Sequence, residues 1–368
     1  MFIFFITALT FVINLFLTPQ IIKVAHHFRW YDRPTDRKIH TTLIPRLGGV
    51  GIFTAFFFSV IIAPLVWHTI SGWQIIDITA FKFIPLFTSF FIIYILGLVD
   101  DFWNLKAWLK FGVQLLAAVL LTFSGFRISS ISFPYLGTLD LWYFSYPITV
   151  LWLVGIMNAI NLVDGMDGLG GGIAGLASLA LGIIALLQHE LEAALLAFAL
   201  FGSLVAFLCY NFPPAKIFMG DSGSLFIGFI LAVIPLFNLS HEDSLSSLLI
   251  PVTILLVPIF DTAAAIVRRL RKRTSIATPD REHIHHKLLD LGLSEKKILA
   301  LIYSICLYLS IIAITSLVLP AFLPKAVNIF IIVIAWMGLL LGYGIIHALQ
   351  NKNQEKKETN KTKKTGFA

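Results

Sequence analysis

Apolar residues run along this chain in long blocks, each ending at a short polar island. A membrane-spanning helix needs roughly 20 apolar residues, and about eleven such blocks can be placed. They lie at about 2–22, 48–67, 81–99, 109–126, 146–163, 170–188, 193–211, 222–239, 247–267, 298–319 and 326–348, with ends soft by several residues. The pattern predicts an all-α, polytopic membrane protein. The first block has neither a basic leading region nor a small-residue cleavage site, so it reads as a retained helix. Residues 1–349 then form a single transmembrane domain. A cytoplasmic loop spans 268–297, and 350–368 read as a disordered, basic, cytoplasmic tail.

Composition agrees. The 368 residues are 58% hydrophobic and 13% charged, with mean hydropathy +0.88, against about 25% charged in a soluble domain. The net charge of +7 arises from loop bias and is no sign of nucleic-acid binding. With the N-terminus outside and the C-terminus cytoplasmic, 24 of the 27 Lys and Arg residues face the cytosol, leaving Lys82, Arg127 and Lys325 outside. That topology sets Asp100, Asp101, Asp164, Asp167, Asp221 and Asp261 all at cytoplasmic ends of spans. Cys209 and Cys306 fall inside spans and read as buried small hydrophobes.

Carboxylates in or near a bilayer are expensive and are rarely there without a task. Asp100-Asp101 ends the third block, the wrong helix end for acids on dipole grounds. Adjacent helical residues point about 100° apart, so one acid faces a substrate and the other a supporting partner. Lys110 follows, placed either to pair with a phosphate or to snorkel. Asn158, Asn161, Asp164 and Asp167 recur every three residues, with Gly165 and Gly168 allowing the stripe to leave regular helix. Two amides and two carboxylates suit Mg²⁺ (Mn²⁺ as the alternative) and hydrogen bonds to a base or ribose; polar glue between helices explains one Asn but not four such groups.

Phe218-Met219-Gly220-Asp221-Ser222-Gly223-Ser224 enters the eighth block, where Asp221 serves equally well as an ordinary cap or as a ligand. In the long loop, Asp280-Arg281-Glu282-His283-Ile284-His285-His286 lacks a fourth zinc donor at a usual spacing. It reads better as a pyrophosphate clamp, and its histidines would make activity vary near pH 6.5, their ordinary pKa being roughly that. Gly170-Gly171-Gly172-Ile173-Ala174-Gly175 matches a dinucleotide fingerprint literally but lacks the strand and βαβ unit that the fingerprint needs.

The ordered set resembles the polyprenyl-phosphate N-acetylhexosamine-1-phosphate transferases, glycosyltransferase family 4. The resemblance runs from about Asp32 to Gly292 and includes Asp32-Arg33-Pro34, Arg37-Lys38-Ile39-His40 and Pro45-Arg46-Leu47-Gly48-Gly49. It continues through Asp100-Asp101, Asn158 to Gly168, Met219-Gly220-Asp221, Pro258-Ile259-Phe260-Asp261 with Arg268-Arg269, and His283-Ile284-His285-His286. The last motif resembles the undecaprenyl-phosphate N-acetylglucosaminyl-1-phosphate transferase branch; the branch acting on the muramoyl-pentapeptide nucleotide typically carries three consecutive histidines.

That resemblance implies transfer of N-acetylglucosamine 1-phosphate from UDP-N-acetylglucosamine to undecaprenyl phosphate, with release of UMP, as the first membrane step of a cell-envelope polysaccharide pathway. By the same carry-over, Asn161 and Asp221 hold Mg²⁺, Asp100 and Asp101 position or deprotonate the acceptor phosphate, and Lys110 steadies a phosphate. Asp167 faces the uracil and Asp164 supports the pocket. Arg281, His283, His285 and His286 contact the pyrophosphate and sugar. It implies a multi-pass plasma-membrane enzyme with its site on the cytoplasmic face, in contact with the lipid bilayer, with a homodimer compatible. The alternatives are a phospho-N-acetylmuramoyl-pentapeptide transferase and an ion-coupled transporter, which would place its acids nearer the midplane.

Overall fold

The computed structural model describes residues 1–31, 43–71, 83–133, 137–240, 248–275, 283–318 and 325–365. Within them the chain is helical apart from one small hairpin. The helices are α1 (Phe2–Phe28), α2 (Gly48–Ser71), α3 (Phe83–Trp103), α4 (Ala107–Phe123), α5 (Ser145–Val163), α6 (Leu169–Leu187), α7 (Leu191–Asn211) and α8 (Gly220–Val233). They continue with α9 (Leu249–Ile254), α10 (Leu256–Arg271), α11 (Ile284–Asp290), α12 (Glu295–Val318) and α13 (Lys325–Thr365).

Among the described residues, nine helical stretches are long and apolar enough to cross a membrane. The protein is a multi-pass, all-α membrane protein, and each expected block falls on a helix. Two blocks differ from expectation. The block at 109–126 is the shorter helix α4, of 17 residues. The block at 247–267 is broken at Leu255 into α9 and α10. Pro258 is the physical reason: it has no N–H to offer the carbonyl four residues back, at Ile254, so the helix gives way one residue later.

The hairpin was not expected either. Strands β1 (Ser130–Phe133) and β2 (Gly137–Asp140) pair antiparallel between α4 and α5, Ser130 opposite Asp140. Helix α13 continues beyond its apolar part through the lysine-rich residues to Thr365.

Helix α8 is the axis of the bundle. Every residue from Gly220 to Val233 is buried, with α2, α3, α5 and α7 packed around it. Aromatic rings fill the space: Phe53 stacks on Tyr94 with centroids 3.7 Å apart, and Phe226 meets Phe53, Phe56 and Phe90 edge-on. A second, smaller core gathers Val163, Met166, Val257, Leu288, Ile302 and Leu309 around α12.

Helix α3 reaches α8 closely because Gly97 has no side chain. A Cβ there would lie 2.5 Å from the Asp221 carbonyl oxygen and from Ser222 Cα. Gly112, in the middle of α4, has nothing within 4 Å of such a Cβ. Gly97→Ala is therefore expected to lower stability by about 1–3 kcal/mol through overpacking. Gly112→Ala should leave it unchanged or raise it by up to about 1 kcal/mol. Thermal unfolding of the two detergent-solubilised variants checks this, and equal melting temperatures would contradict it.

Candidate active site

The start of α8 is buried, and its free N–H groups need acceptors from the protein. Asp101, from the end of α3, provides them. Its Oδ1 accepts from Asp221 N at 2.7 Å, and its Oδ2 accepts from Ser222 N at 3.0 Å and Ser222 Oγ at 2.6 Å. Gly220 makes room for this cap. Its φ is +77°, and a Cβ there would sit 2.6 Å from Asp101 Oδ2. The segment before α2 zips onto the same turn: Phe218 N donates to Pro45 O, Gly48 N to Phe218 O and Gly49 N to Met219 O, at 2.8 to 2.9 Å. That pairing delivers Arg46.

Asp221 is the hub. Arg46 Nη2 donates to its Oδ1 at 2.9 Å, and Arg46 Nε lies 3.4 Å from Asp101 Oδ1. Lys110 Nζ bridges Asp221 Oδ2 at 2.9 Å and Asp100 Oδ2 at 2.8 Å. Asn161 Nδ2 donates to Asp221 Oδ1 at 3.0 Å and to Ser224 Oγ at 2.8 Å. Asp100 also accepts from Leu105 N at 2.6 Å, tying down the turn between α3 and α4. Four segments far apart in sequence thus meet at one helix end.

The stripe from Asn158 divides as its glycines allow. Asn158 joins α5 to α4 through Gln114, at 2.8 Å. Helix α5 ends at Val163, with Asp164 as its last cap. Asp164 keeps some surface, but its carboxyl is enclosed and packs against Gly170, where a Cβ would clash with it. Burial pushes that carboxyl up to about 7; Arg46 pulls it down, and Asp221, Asp101 and Asp167 push it further up. Asp167 is buried and accepts from Ala215 N at 2.9 Å, holding the turn after α7.

Asp261, on α10, repeats the Asp101 device. It accepts from Ile284 N at 3.0 Å and lies 2.7 Å from His283 Nδ1, capping α11. His285 is 1% exposed, and neither ring nitrogen has a hydrogen-bond partner. Its Nε2 faces Gly165, where a Cβ would approach to 2.7 Å. His286 is half-buried, its ring 4.2 Å from that of His285. Burial lowers the His285 pKa to about 3, with His286 adding to the effect. His285 therefore stays neutral through pH 6.5, and the expected titration there is not carried by this residue. The histidine segment is a packed helix at this point, not an open loop. Arg281 lies outside the described residues.

Of the residues singled out in the sequence, Asp100, Asp101, Lys110, Asn161 and Asp221 are brought into one bonded cluster, with Asp164 in its field. His285 meets the turn after α5 at Gly165, and His283 is bonded to Asp261. Arg46, Ser222, Ser224 and Asp261 were not singled out as site residues. The Pro45-to-Gly49 motif and the acid at Asp261 were the available signals.

A divalent cation fits this cluster in charge and in donor type. Asp100, Asp101, Asp164 and Asp221 face Arg46 and Lys110, an excess of carboxylate over cation. Asn161 has its Nδ2 engaged, so its Oδ1 is the remaining acceptor beside Asp221. Among the described residues, no three His, Cys, Asp or Glu side chains form a ready-made cage. Mg²⁺ usually takes only one or two protein carboxylates and completes its shell with water and substrate phosphates.

Residues 83–238 match the family model for glycosyl transferase family 4. The chain is 37% identical over 301 residues to a Bacillus subtilis protein named "Probable undecaprenyl-phosphate N-acetylglucosaminyl 1-phosphate transferase", covering 82% of this chain and 81% of that one. It is 32% identical to the decaprenyl-phosphate N-acetylglucosaminephosphotransferase of Mycobacterium leprae, covering 90% of this chain and 87% of the relative. It is 28% identical to the undecaprenyl-phosphate alpha-N-acetylglucosaminyl 1-phosphate transferase of Salmonella typhi, covering 93% and 92%.

The Asp164 shift has a consequence for stability. Its folded pKa lies above the ordinary carboxylate value of 3.8, at about 7, so the folded state holds the proton more tightly. This group's contribution to stability is then greatest below pH 3.8 and falls as pH rises towards 7. Asp164→Asn removes that dependence. In metal-free buffer, its melting temperature relative to wild type should climb between pH 4 and pH 7; a constant difference would count against the shift.

Proposed function

The chain belongs to glycosyl transferase family 4, and on that footing we propose that it transfers N-acetylglucosamine 1-phosphate from UDP-N-acetylglucosamine to undecaprenyl phosphate, releasing UMP. The observation that carries this reading is the Asp221 hub: two cations and an amide gathered on carboxylates at one buried helix end, on the face predicted to be cytosolic. A lipid-borne phosphate and a water-soluble nucleotide meet only at such a boundary.

The reaction is a displacement at phosphorus. An acceptor phosphate oxygen bonds to the β-phosphorus of the donor, the bond from that phosphorus to the bridging oxygen breaks, and UMP leaves with the electron pair. Attack at phosphorus leaves the sugar's anomeric bond intact. Such a transfer depends on placement and charge neutralisation more than on covalent chemistry. Lys110 is the group placed for the acceptor. Two of its three N–H donors are taken by Asp100 and Asp221, and the third remains for a phosphate oxygen. Asp100 orients that ammonium. Asp101, with three donors on its two oxygens, holds α8 and thereby Asp221, and is a positioning group in this reading. Arg46 stands beside Asp221 to meet negative charge on the donor.

Asn161 and Asp221 would hold Mg²⁺, and the bound ion would draw charge from the pyrophosphate as the bond breaks. Asp164 and Asp167 shape the loop below, and His283, His285 and His286 would meet the donor's pyrophosphate and sugar. The protein acts in the plasma membrane, with its site open to the cytoplasm, at the first membrane step of a cell-envelope polysaccharide pathway.

Purified protein, radiolabelled UDP-N-acetylglucosamine and undecaprenyl phosphate test the proposal by UMP release. Wild type should turn over this donor and not the muramoyl-pentapeptide nucleotide, and should lose activity in EDTA. Asp221→Ala and Lys110→Ala are expected to reduce kcat/KM by about 10²–10³, the scale of losing one electrostatic contact to a transition state. Full activity in Asp221→Ala, or in EDTA, would remove the metal assignment. Comparable turnover of the pentapeptide donor would change the donor and leave the reaction class standing.

A further inference from the structure

Helix α13 touches the rest of the protein through polar side chains spaced seven residues apart. Trp336 Nε1 donates to Thr253 Oγ1 of α9 at 3.1 Å. Tyr343 Oη accepts from Arg268 Nη1 of α10 at 3.0 Å and from Lys287 Nζ of α11 at 2.8 Å. Gln350 Nε2 donates to Asp290 Oδ2 of α11 at 3.1 Å. Seven residues are two helical turns less about 20°, so these three side chains share one face.

Ile332 and Ala335 pack into the smaller core and Tyr343 meets Phe260 edge-on. Beside them a cavity of about 510 Å³, with Asp261, Ile284 and Tyr343 among its walls, lies between α13 and helices α10 and α12. Across that gap the polar contacts join α13 directly to α11. Helix α11 needs such a tether, because seven residues are too few to hold a helix by themselves. Asp261 holds its first turn, and Tyr343 and Gln350 hold the rest.

Lys287 is the link. It is 1% exposed, its ammonium bonded to the Tyr343 hydroxyl and 4.5 Å from the centre of that ring. Two residues along a helix are about 200° apart. Lys287 drawn towards α13 thus turns His285 the opposite way, towards Gly165 and the site.

We propose that Tyr343 is a positioning residue: through Lys287, the last helix holds the His283–His286 segment against Gly165 and so sets the affinity for the donor. The kinetic half rests on the function proposed above; the structural half does not.

The test uses the full chain in nanodiscs, with Tyr343→Phe, which keeps the ring and loses the acceptor oxygen, Lys287→Met, and the double variant. Tyr308→Phe, on α12 at the same cavity, is the control. Without any substrate, hydrogen exchange over 283–290 should quicken about tenfold in Tyr343→Phe, the scale of one charge-assisted hydrogen bond. The KM for UDP-N-acetylglucosamine should rise by a similar factor, with kcat within about threefold of wild type. The double variant should be no worse than the more affected single one. Unchanged exchange over 283–290, a fall in kcat at constant KM, or fully additive effects would overturn the proposal. A wild type that fails to use UDP-N-acetylglucosamine would refute the function instead, and the exchange measurement alone would then decide whether Tyr343 holds the segment.

Discussion

A buried helix start has to find hydrogen-bond acceptors inside the protein, and the rest of this site follows from how α8 finds them. The N–H groups of Asp221 and Ser222 are buried, and Asp101 supplies an oxygen to each from another helix. To bring that carboxylate close enough, α3 must cross α8 at Gly97, and the turn before α8 must carry glycine at 220. The same closeness makes the turn at Phe218 and Met219 a template for the backbone ahead of α2, and Arg46 arrives with it. The charges around Asp221 are thus fixed by a capping requirement that would exist without any substrate.

The device recurs. Asp100 holds the turn after α3, Asp167 the turn after α7, and Asp261 the start of α11. Each acid spends part of its hydrogen-bonding capacity on backbone N–H groups and keeps the rest. This explains why acids crowd these helix ends at all: they join helices where regular backbone bonding stops. It also separates their roles. An acid that accepts three hydrogen bonds from one helix start, as Asp101 does, fixes position, whereas one shared with a lysine, such as Asp100, keeps a charge that answers to a ligand.

The helices were legible because apolar length is a local signal, and so were the acids at their ends. The divergence of Asp100 and Asp101 was legible too, from the 100° step alone. Their partners were not. Arg46 looks like any basic residue in a cytosolic loop until the pairing of 45–49 with 218–219 is known, and that pairing joins residues more than 170 positions apart. The break at Leu255 was there to be read, since Pro258 stands in the middle of an otherwise continuous apolar block. The hairpin at 130–140 was not, because four-residue strands leave too short a pattern. The burial of His285 was hidden for a different reason. A histidine-rich, basic stretch reads as an open loop that meets a charged ligand, and its packing against Gly165 joins residues 120 positions apart.

The two cores give the site two supports of different stiffness. Asp101, Asp221, Arg46 and Lys110 are anchored on the aromatic core around α8, which is buried throughout. Asp164 and Asp167 lie on the seam, while His283 and His285 ride on a seven-residue helix backed by the smaller core and by a cavity. The Asp221 hub is bonded to charged and amide groups from several helices, whereas His285 meets Gly165 with neither ring nitrogen hydrogen-bonded. The charges that α8 holds in place are thus fixed independently of the histidine segment, which has its own bonds to α10 and α13.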